Sequence, residues 1–316
     1  MRRVRVGVVV LAAAALATVA IVASMSSDAA TTHKGGGTGK HHDLPLVAVY
    51  GDSLITQAKL DLAGDLSNTL VAQHSDPGVA ACHYLGAVRS FLRSHHPKVA
   101  ILEFEGNDNR DTACVNHFPT QSPGYDANYR RTISTMVHWF VAAGAHVFVV
   151  GTIPDASEVA SRDLEWDGLN RIYAGIAATY RSNAVSFVNV QQSVESAGRF
   201  TWYLPCLPQE LSCDAPASTL RALPPVGTNV VRSVDGLHFC PQYPDKKDHY
   251  YDVVVCDVYS SGEYRYASFI ARAVEQFLAL HASQRFIGMP LPALKRPIFG
   301  VPGQVDPYTG DVYPQQ

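Results

Sequence analysis

The chain has 316 residues, a formal net charge of −3, 47% hydrophobic residues and 17% charged ones. That apolar content supports a buried core and excludes a disordered chain, and the lack of long single-sign charge runs excludes the basic footprint of a nucleic-acid binder. The length exceeds a usual single domain, but without its low-complexity ends it fits one large α/β domain.

At the N-terminus, Arg2, Arg3 and Arg5 precede an apolar stretch of 18 residues, Val6 to Ala23, followed by small and polar residues. This is an export pattern, and the stretch is just long enough to span a bilayer. Residues 1–25 therefore fit either a cleaved signal peptide or an N-terminal membrane anchor. In both cases the remainder is expected outside the cytoplasm, secreted or held at the membrane. Residues 26–44, rich in Ser, Thr, Gly and Lys, are expected to form a flexible linker whose His33, His41 and His42 are solvated.

All six cysteines lie beyond this leader, and an even number in an exported chain predicts disulfides. Six cysteines allow 15 pairings and the sequence does not choose among them; joining neighbours, which closes the shortest loops, would pair Cys82 with Cys114, Cys206 with Cys213, and Cys240 with Cys256. No CxxC occurs, so no metal is expected.

Residues 45–285 alternate strand and helix. An apolar run, Leu46 to Tyr50, ends at Gly51, and helical spacing follows from Leu54 to about Leu66. Next come a strand at Thr69 to Gln73, a loop with Asp76, Pro77 and Gly78, and a helix near Tyr84 to Ser94 that stops before Pro97. Val99 to Phe104 reads as a buried strand, Tyr125 to Ala143 as a long amphipathic helix capped by Gly144, and His146 to Gly151 as another strand. A helix over Arg162 to Tyr180, a strand at Ala184 to Val190 and a final helix from Tyr264 to His281 complete the series. Residues 286–316 form a proline-rich tail expected to wrap the surface or hang free. Continuous β-branched strands separated by helices predict a three-layer α/β/α sandwich with a mostly parallel central sheet, whose loops at the carboxyl strand ends carry the chemistry.

Three segments fall at that edge. Gly51-Asp52-Ser53-Leu54 follows the first strand directly, placing Ser53 where free N–H groups favour an oxyanion; the plainer reading is a capped strand-to-helix turn. Gly106-Asn107-Asp108 returns to the same edge, where the Asn107 amide can donate to an oxyanion or simply serve a turn. In a late loop, Asp235 stands three residues before His238, a spacing that lets the carboxylate hold one ring nitrogen and leave the other free to take a serine proton.

With serine, asparagine, aspartate and histidine in this order and context, the span from Leu46 to Leu280 resembles the GDSL/SGNH hydrolase family, whose sheet is flavodoxin-like. The resemblance implies a serine esterase, with Ser53, Asp235 and His238 as catalytic triad and Ser53, Gly78 and Asn107 forming the oxyanion hole. Gly78 is preferred to Gly86, which falls in or near a helix. The asparagine block reads Glu105-Gly106-Asn107-Asp108, so Glu105 stands where the family has glycine. A Cys82–Cys114 bridge would tie the two oxyanion loops together. No GxSxG elbow is present.

The activity so implied is hydrolysis of carboxylic esters, on a short-chain, lipid or O-acetylated cell-envelope carbohydrate substrate, without a cofactor and without nucleic acid. It should rise through about pH 6 to 7. An O-acyltransferase using the same site, and a non-catalytic glycan-binding module, are the alternatives. Phe200 to Asn229, containing Trp202, Tyr203, Cys206 and Cys213, is the expected insertion governing access.

Overall fold

The computed structural model describes residues 44–107, 122–156, 159, 165–180, 183–210, 225–233, 235–240 and 260–283. The N-terminal apolar segment, the linker up to 43, the proline-rich tail, Asp108, Cys114, Cys213 and Cys256 lie outside this set. The described residues belong to one compact unit, Asp43–Gln316.

Five strands form the central sheet: β1 (Leu46–Gly51), β2 (Leu70–Ser75), β3 (Val99–Glu103), β4 (His146–Val150) and β5 (Val185–Val188). Their order is β2-β1-β3-β4-β5, and every pairing is parallel, so the expected mostly parallel sheet is wholly parallel. Alternation along each strand sends side chains to opposite faces. Ala48, Tyr50, Ala100 and Leu102 pack on one face, whereas Val47, Val49, Val99 and Ile101 pack on the other. Both faces are apolar because both are covered, which defines a three-layer α/β/α sandwich.

The first face is covered by α3 (Leu85–Phe91), α4 (Pro123–Ala142) and α5 (Glu165–Thr179), through residues such as Val88, Tyr129, Ile133, Phe140 and Tyr173. Helix α4 starts as its sequence dictates: Ser122 Oγ accepts the Tyr125 N–H at 3.2 Å, and Pro123 occupies the first turn, where no N–H is needed. It ends at Gly144, whose φ of +85° is readily accessible to glycine. The second face is covered by α1 (Ser53–Gln57), α2 (Lys59–Asp65), α6 (Gln191–Val194) and α7 (Ser261–Ser283), through Leu54, Ile55, Leu62, Val194, Tyr266, Ile270 and Val274.

Two differences from the sequence reading matter. The single helix expected after Ser53 divides at Ala58, whose ψ of 2° departs from the helical value, into α1 and α2, with the Ala58 N–H still bonded to Leu54 O and its carbonyl accepting from Leu62. Between α6 and α7 stand two short antiparallel hairpins, β6 (Glu195–Ser196) with β7 (Arg199–Phe200) and β8 (Tyr203–Pro205) with β9 (Thr228–Val230). Strands of two or three residues are too short to show an alternating pattern, so these gave no sequence signal. Buried in this region, Glu210 accepts from Arg265 Nε at 2.5 Å and from Asn229 Nδ2 at 2.7 Å, and clasps the hairpin to α7. Cys82, Cys206 and Cys240 are each disulfide-bonded.

A close approach that only glycine allows lies at the carboxyl end of β1. A Cβ on Gly51 would come within 2.3 Å of Ile55 Cγ2 and 2.5 Å of Glu103 O. Gly51→Ala should therefore cost about 1–3 kcal/mol in overpacking, read as a lower thermal midpoint; an unchanged midpoint would contradict this packing.

Candidate active site

In a sheet of this order, β1 and β3 are the neighbours whose connections leave in opposite directions, and their carboxyl ends bound the crevice where ligands gather in such folds. Ser53 follows β1 and Asn107 follows β3. Ser53 opens α1 with its side chain at the crevice, 6% exposed. Asp52 immediately before it is fully buried, its carbonyl accepting the Thr56 N–H at 3.0 Å and the Thr56 hydroxyl at 2.5 Å.

The loop leading into α7 brings the remaining expected residues to Ser53. His238 Nε2 lies 2.9 Å from Ser53 Oγ, and His238 Nδ1 lies 2.6 Å from Asp235 Oδ2. A carboxylate only accepts, so Nδ1 carries the hydrogen and Nε2 presents its lone pair to the serine hydroxyl. Asp235 Oδ1 accepts the N–H groups of Leu237 and His238, both at 3.0 Å, so one carboxylate holds the ring and the backbone beneath it. Burial opposes the charge on Asp235, but the bond and charge of His238 together with those N–H groups outweigh it and hold the carboxyl below its usual range. Gly236 makes the turn, with φ +79°; a Cβ there would lie 2.4 Å from Ala156 Cβ.

Two buried anchors set the loop against α1 and α7. Gln57 is one helical turn after Ser53, and its Oε1 accepts the Phe239 N–H at 2.9 Å. The Ser260 hydroxyl donates to Phe239 O at 2.8 Å. The i, i+4 relation of Ser53 to Gln57 thus puts the serine and the loop anchor on one helix face. Gln57 escaped the sequence reading, although its spacing from Ser53 was visible there.

On the other side of the crevice, Asp52 Oδ2 accepts two donors from the β3–α4 loop, the Glu105 N–H and Asn107 Nδ2, each at 2.8 Å. One Asn107 hydrogen is thereby committed, and the second makes no hydrogen bond among the described residues. From α4 the Tyr125 hydroxyl donates to Gly106 O at 2.7 Å and the Tyr129 hydroxyl to Asn107 O at 2.6 Å, fixing a turn that Gly106 enters at φ +95°. Glu105 reaches across the sheet edge, where its Oε2 accepts the Ile153 N–H at 3.1 Å just beyond β4. Gly78 sits exposed in the loop after β2 at φ +72°, and no hydrogen bond among the described residues joins it to Ser53. Gly86 lies within α3.

Beneath the nucleophile turn, Glu103 is buried at the end of β3 and accepts the Tyr266 hydroxyl at 2.8 Å. Burial, with the nearby Asp52 charge, pushes its carboxyl well above the ordinary range. Asp52 is pushed up to about 6 by burial, against the Glu105 and Leu54 N–H groups, the Asn107 amide and the His238 charge, all of which favour its ionised form.

Architecture and site together define an α/β protein with a serine–histidine–aspartate relay at the carboxyl edge of a parallel sheet. The chain belongs to a family of proteins of unknown function, DUF459, whose model matches residues 46–210. No curated protein sequence matches it. Among solved structures it is similar to a lipase/acylhydrolase from Enterococcus faecalis, with 13% identity and a TM-score of 0.44 over 73% of this chain and 95% of that one. It is similar also to the C-terminal catalytic domain of the peptidoglycan O-acetyltransferase A of Streptococcus pneumoniae, with 11% identity and a TM-score of 0.42 over 74% and 94% of the two chains. A catalytic mutant of an acetylxylan esterase from Geobacillus stearothermophilus matches with 13% identity and a TM-score of 0.38 over 47% and 77%.

The raised value of Asp52 means that the folded state binds this proton more tightly than the unfolded chain does. The cost of burying its charge is therefore present above about pH 6 and relieved as pH falls through that value toward 4. Asp52→Asn should melt higher than the wild type at about pH 8, with the gap closing toward pH 4; a gap that does not vary with pH would refute the shift.

Proposed function

We propose that this protein is an exported serine ester hydrolase working through an acyl-enzyme on Ser53. The observation that carries the reading is the unbroken relay from Asp235 through His238 to Ser53, with contacts of 2.6 and 2.9 Å beside an asparagine amide with one uncommitted hydrogen. Its motifs resemble those of GDSL/SGNH hydrolases, which supports the same chemistry.

Ser53 Oγ attacks the ester carbonyl carbon while its proton passes to His238 Nε2. The carbonyl π pair moves onto oxygen, and the resulting oxyanion is met by the Ser53 N–H and the second Asn107 hydrogen; the family resemblance implies Gly78 N–H as a third donor, which from its exposed loop would have to move toward Ser53. Asp235, already ionised, stabilises the imidazolium and keeps its tautomer. Collapse breaks the bond to the alcohol oxygen, which takes the proton from Nε2. Water then repeats the cycle, giving up a proton to Nε2 and releasing the acid and free Ser53. Ionised Asp52 orients the Asn107 amide, which ties the oxyanion side of the crevice to the residue next to the nucleophile.

The substrate class is a carboxylic ester, short-chain, lipid or O-acetylated carbohydrate. Export rests on the arginine-flanked apolar segment Val6 to Ala23, and the disulfide-bonded state of Cys82, Cys206 and Cys240 supports an oxidising compartment. In the same reading the apolar segment is either removed or anchors the protein to the membrane.

Hydrolysis of p-nitrophenyl esters from acetate to palmitate should be abolished by Ser53→Ala, and the chain-length optimum assigns the acyl group. Wild-type rates in the Ser53→Ala protein would defeat the proposal, and acyl transfer to an added sugar in preference to water would reassign the protein as a transferase. Asn107→Ala should lower turnover about 10²–10³-fold with the fold intact, as measured by kcat and circular dichroism; full turnover would remove the asparagine from the oxyanion site.

A further inference from the structure

Among the described residues the largest fully buried side chain is Arg232, at 0% exposure, in the loop that carries Asp235 and His238. Its Nη1 donates to the carbonyl of Leu237, between those two residues, at 3.2 Å. The guanidinium carbon lies 5.8 Å from the Phe200 ring centroid and 5.7 Å from that of Phe239, so the cation sits by one ring of the β6–β7 hairpin and one ring adjacent to His238. The Ser233 N–H donates to His238 O at 2.6 Å, and Gly236 N–H to Ser233 O at 2.9 Å. The loop is thus cinched at its neck by two bonds, Ser233 to His238 and Arg232 to Leu237.

Among the described residues, Arg232 Nε and Nη2 have no hydrogen-bond partner and no carboxylate makes a contact ion pair with it. The carboxylates whose charge reaches it come from separate elements: Glu105 on the loop after β3, Glu195 on β6 and Asp235 on its own loop. A buried cation without a contact partner is an expensive way to fill space, and a hydrophobic side chain of similar size would serve packing better. Its carbonyl bond acts instead on the loop that carries Asp235 and His238, and its field reaches Glu105 on the loop after β3. Glu105 stands where the resembled family has glycine, so the anion on the oxyanion side and the cation on the histidine side occur together in this chain.

We propose that Arg232 is a positioning residue that, by bracing the Leu237 carbonyl from between Phe200 and Phe239 and attracting the Glu105 carboxylate, aligns the Asp235–His238 loop with the loop that carries Asn107. The role in turnover rests on the esterase reading; the geometric role does not.

The test uses the secreted protein and its Arg232→Met, Arg232→Lys and Glu105→Gln variants, with two readouts. One is the low-field proton resonance of His238 Nδ1–H, the other is kcat and KM on p-nitrophenyl acetate per active site counted by phosphonate labelling of Ser53. Arg232→Met should shift or lose the resonance and lower kcat about 10–100-fold with KM nearly unchanged, as expected of sub-ångström to ångström misplacement. Arg232→Lys, which keeps the charge and is the variant to read if the methionine protein does not fold, should also fall in kcat, because an ammonium cannot replace a planar fork between two rings. Glu105→Gln combined with Arg232→Met should cost less than the product of the single losses. A folded Arg232→Lys protein with wild-type resonance and wild-type kcat overturns the proposal. A wild type that shows the resonance but neither hydrolyses esters nor labels at Ser53 sinks the esterase reading, and the resonance in the variants then decides the role of Arg232.

Discussion

One carboxylate oxygen joins the two sides of the crevice. Asp52 Oδ2 receives the Glu105 N–H and the Asn107 amide from the loop after β3, while its own backbone opens the helix that presents Ser53. Because β1 and β3 are parallel neighbours in register, with Gly51 opposite Glu103, these loops leave the sheet side by side. The lack of a side chain on Gly51 allows the turn to sit close over Glu103. The Ser53 turn and the Asn107 turn are therefore one hydrogen-bonded unit, and the two tyrosines of α4 hold it from behind.

The third component arrives from 185 residues later in the chain. Its placement depends on Gln57 and Ser260, which hold the two backbone groups of Phe239 from α1 and α7. Placing the anchor on the same short helix as the serine makes the Ser53–His238 distance insensitive to movements elsewhere in the sheet. The region also concentrates buried polar groups that a stability-driven core would avoid: Asp52, Glu103 and Arg232 are all at 0% exposure. Desolvation pushes both carboxyls up and pulls the guanidinium down to about 10. Such groups weaken the fold locally and are understandable where orientation of a reacting group is the gain.

The strand–helix alternation was legible because buried parallel strands are continuous apolar runs and the covering helices keep their own period, so β1 to β5 and α4, α5 and α7 were located within a few residues. The hairpins between α6 and α7 were not, since their pairing is set by long-range partners such as the Glu210–Arg265 clasp. Ser53, Asn107, Asp235 and His238 stood out as short local patterns. The roles of Asp52, Gln57, Glu103 and Arg232 were hidden, as an Asp in a turn, a Gln in a helix, a Glu in a strand and an Arg in a loop are each ordinary until their partners are known.

What the sequence determined by itself is the set of local preferences: which segments form strands and helices, where glycine must turn the chain, and which short motifs carry a nucleophile, an amide and an Asp–His pair. Only the tertiary structure decided the order of the strands, the meeting of Ser53 with His238, the sharing of Asp52 between two loops, and the enclosure of Arg232 between Phe200 and Phe239. Local preferences act over a few residues through backbone sterics and periodicity. The contacts that make the site join residues tens to hundreds of positions apart, and these become neighbours only when the packed sheet brings their loops to one edge.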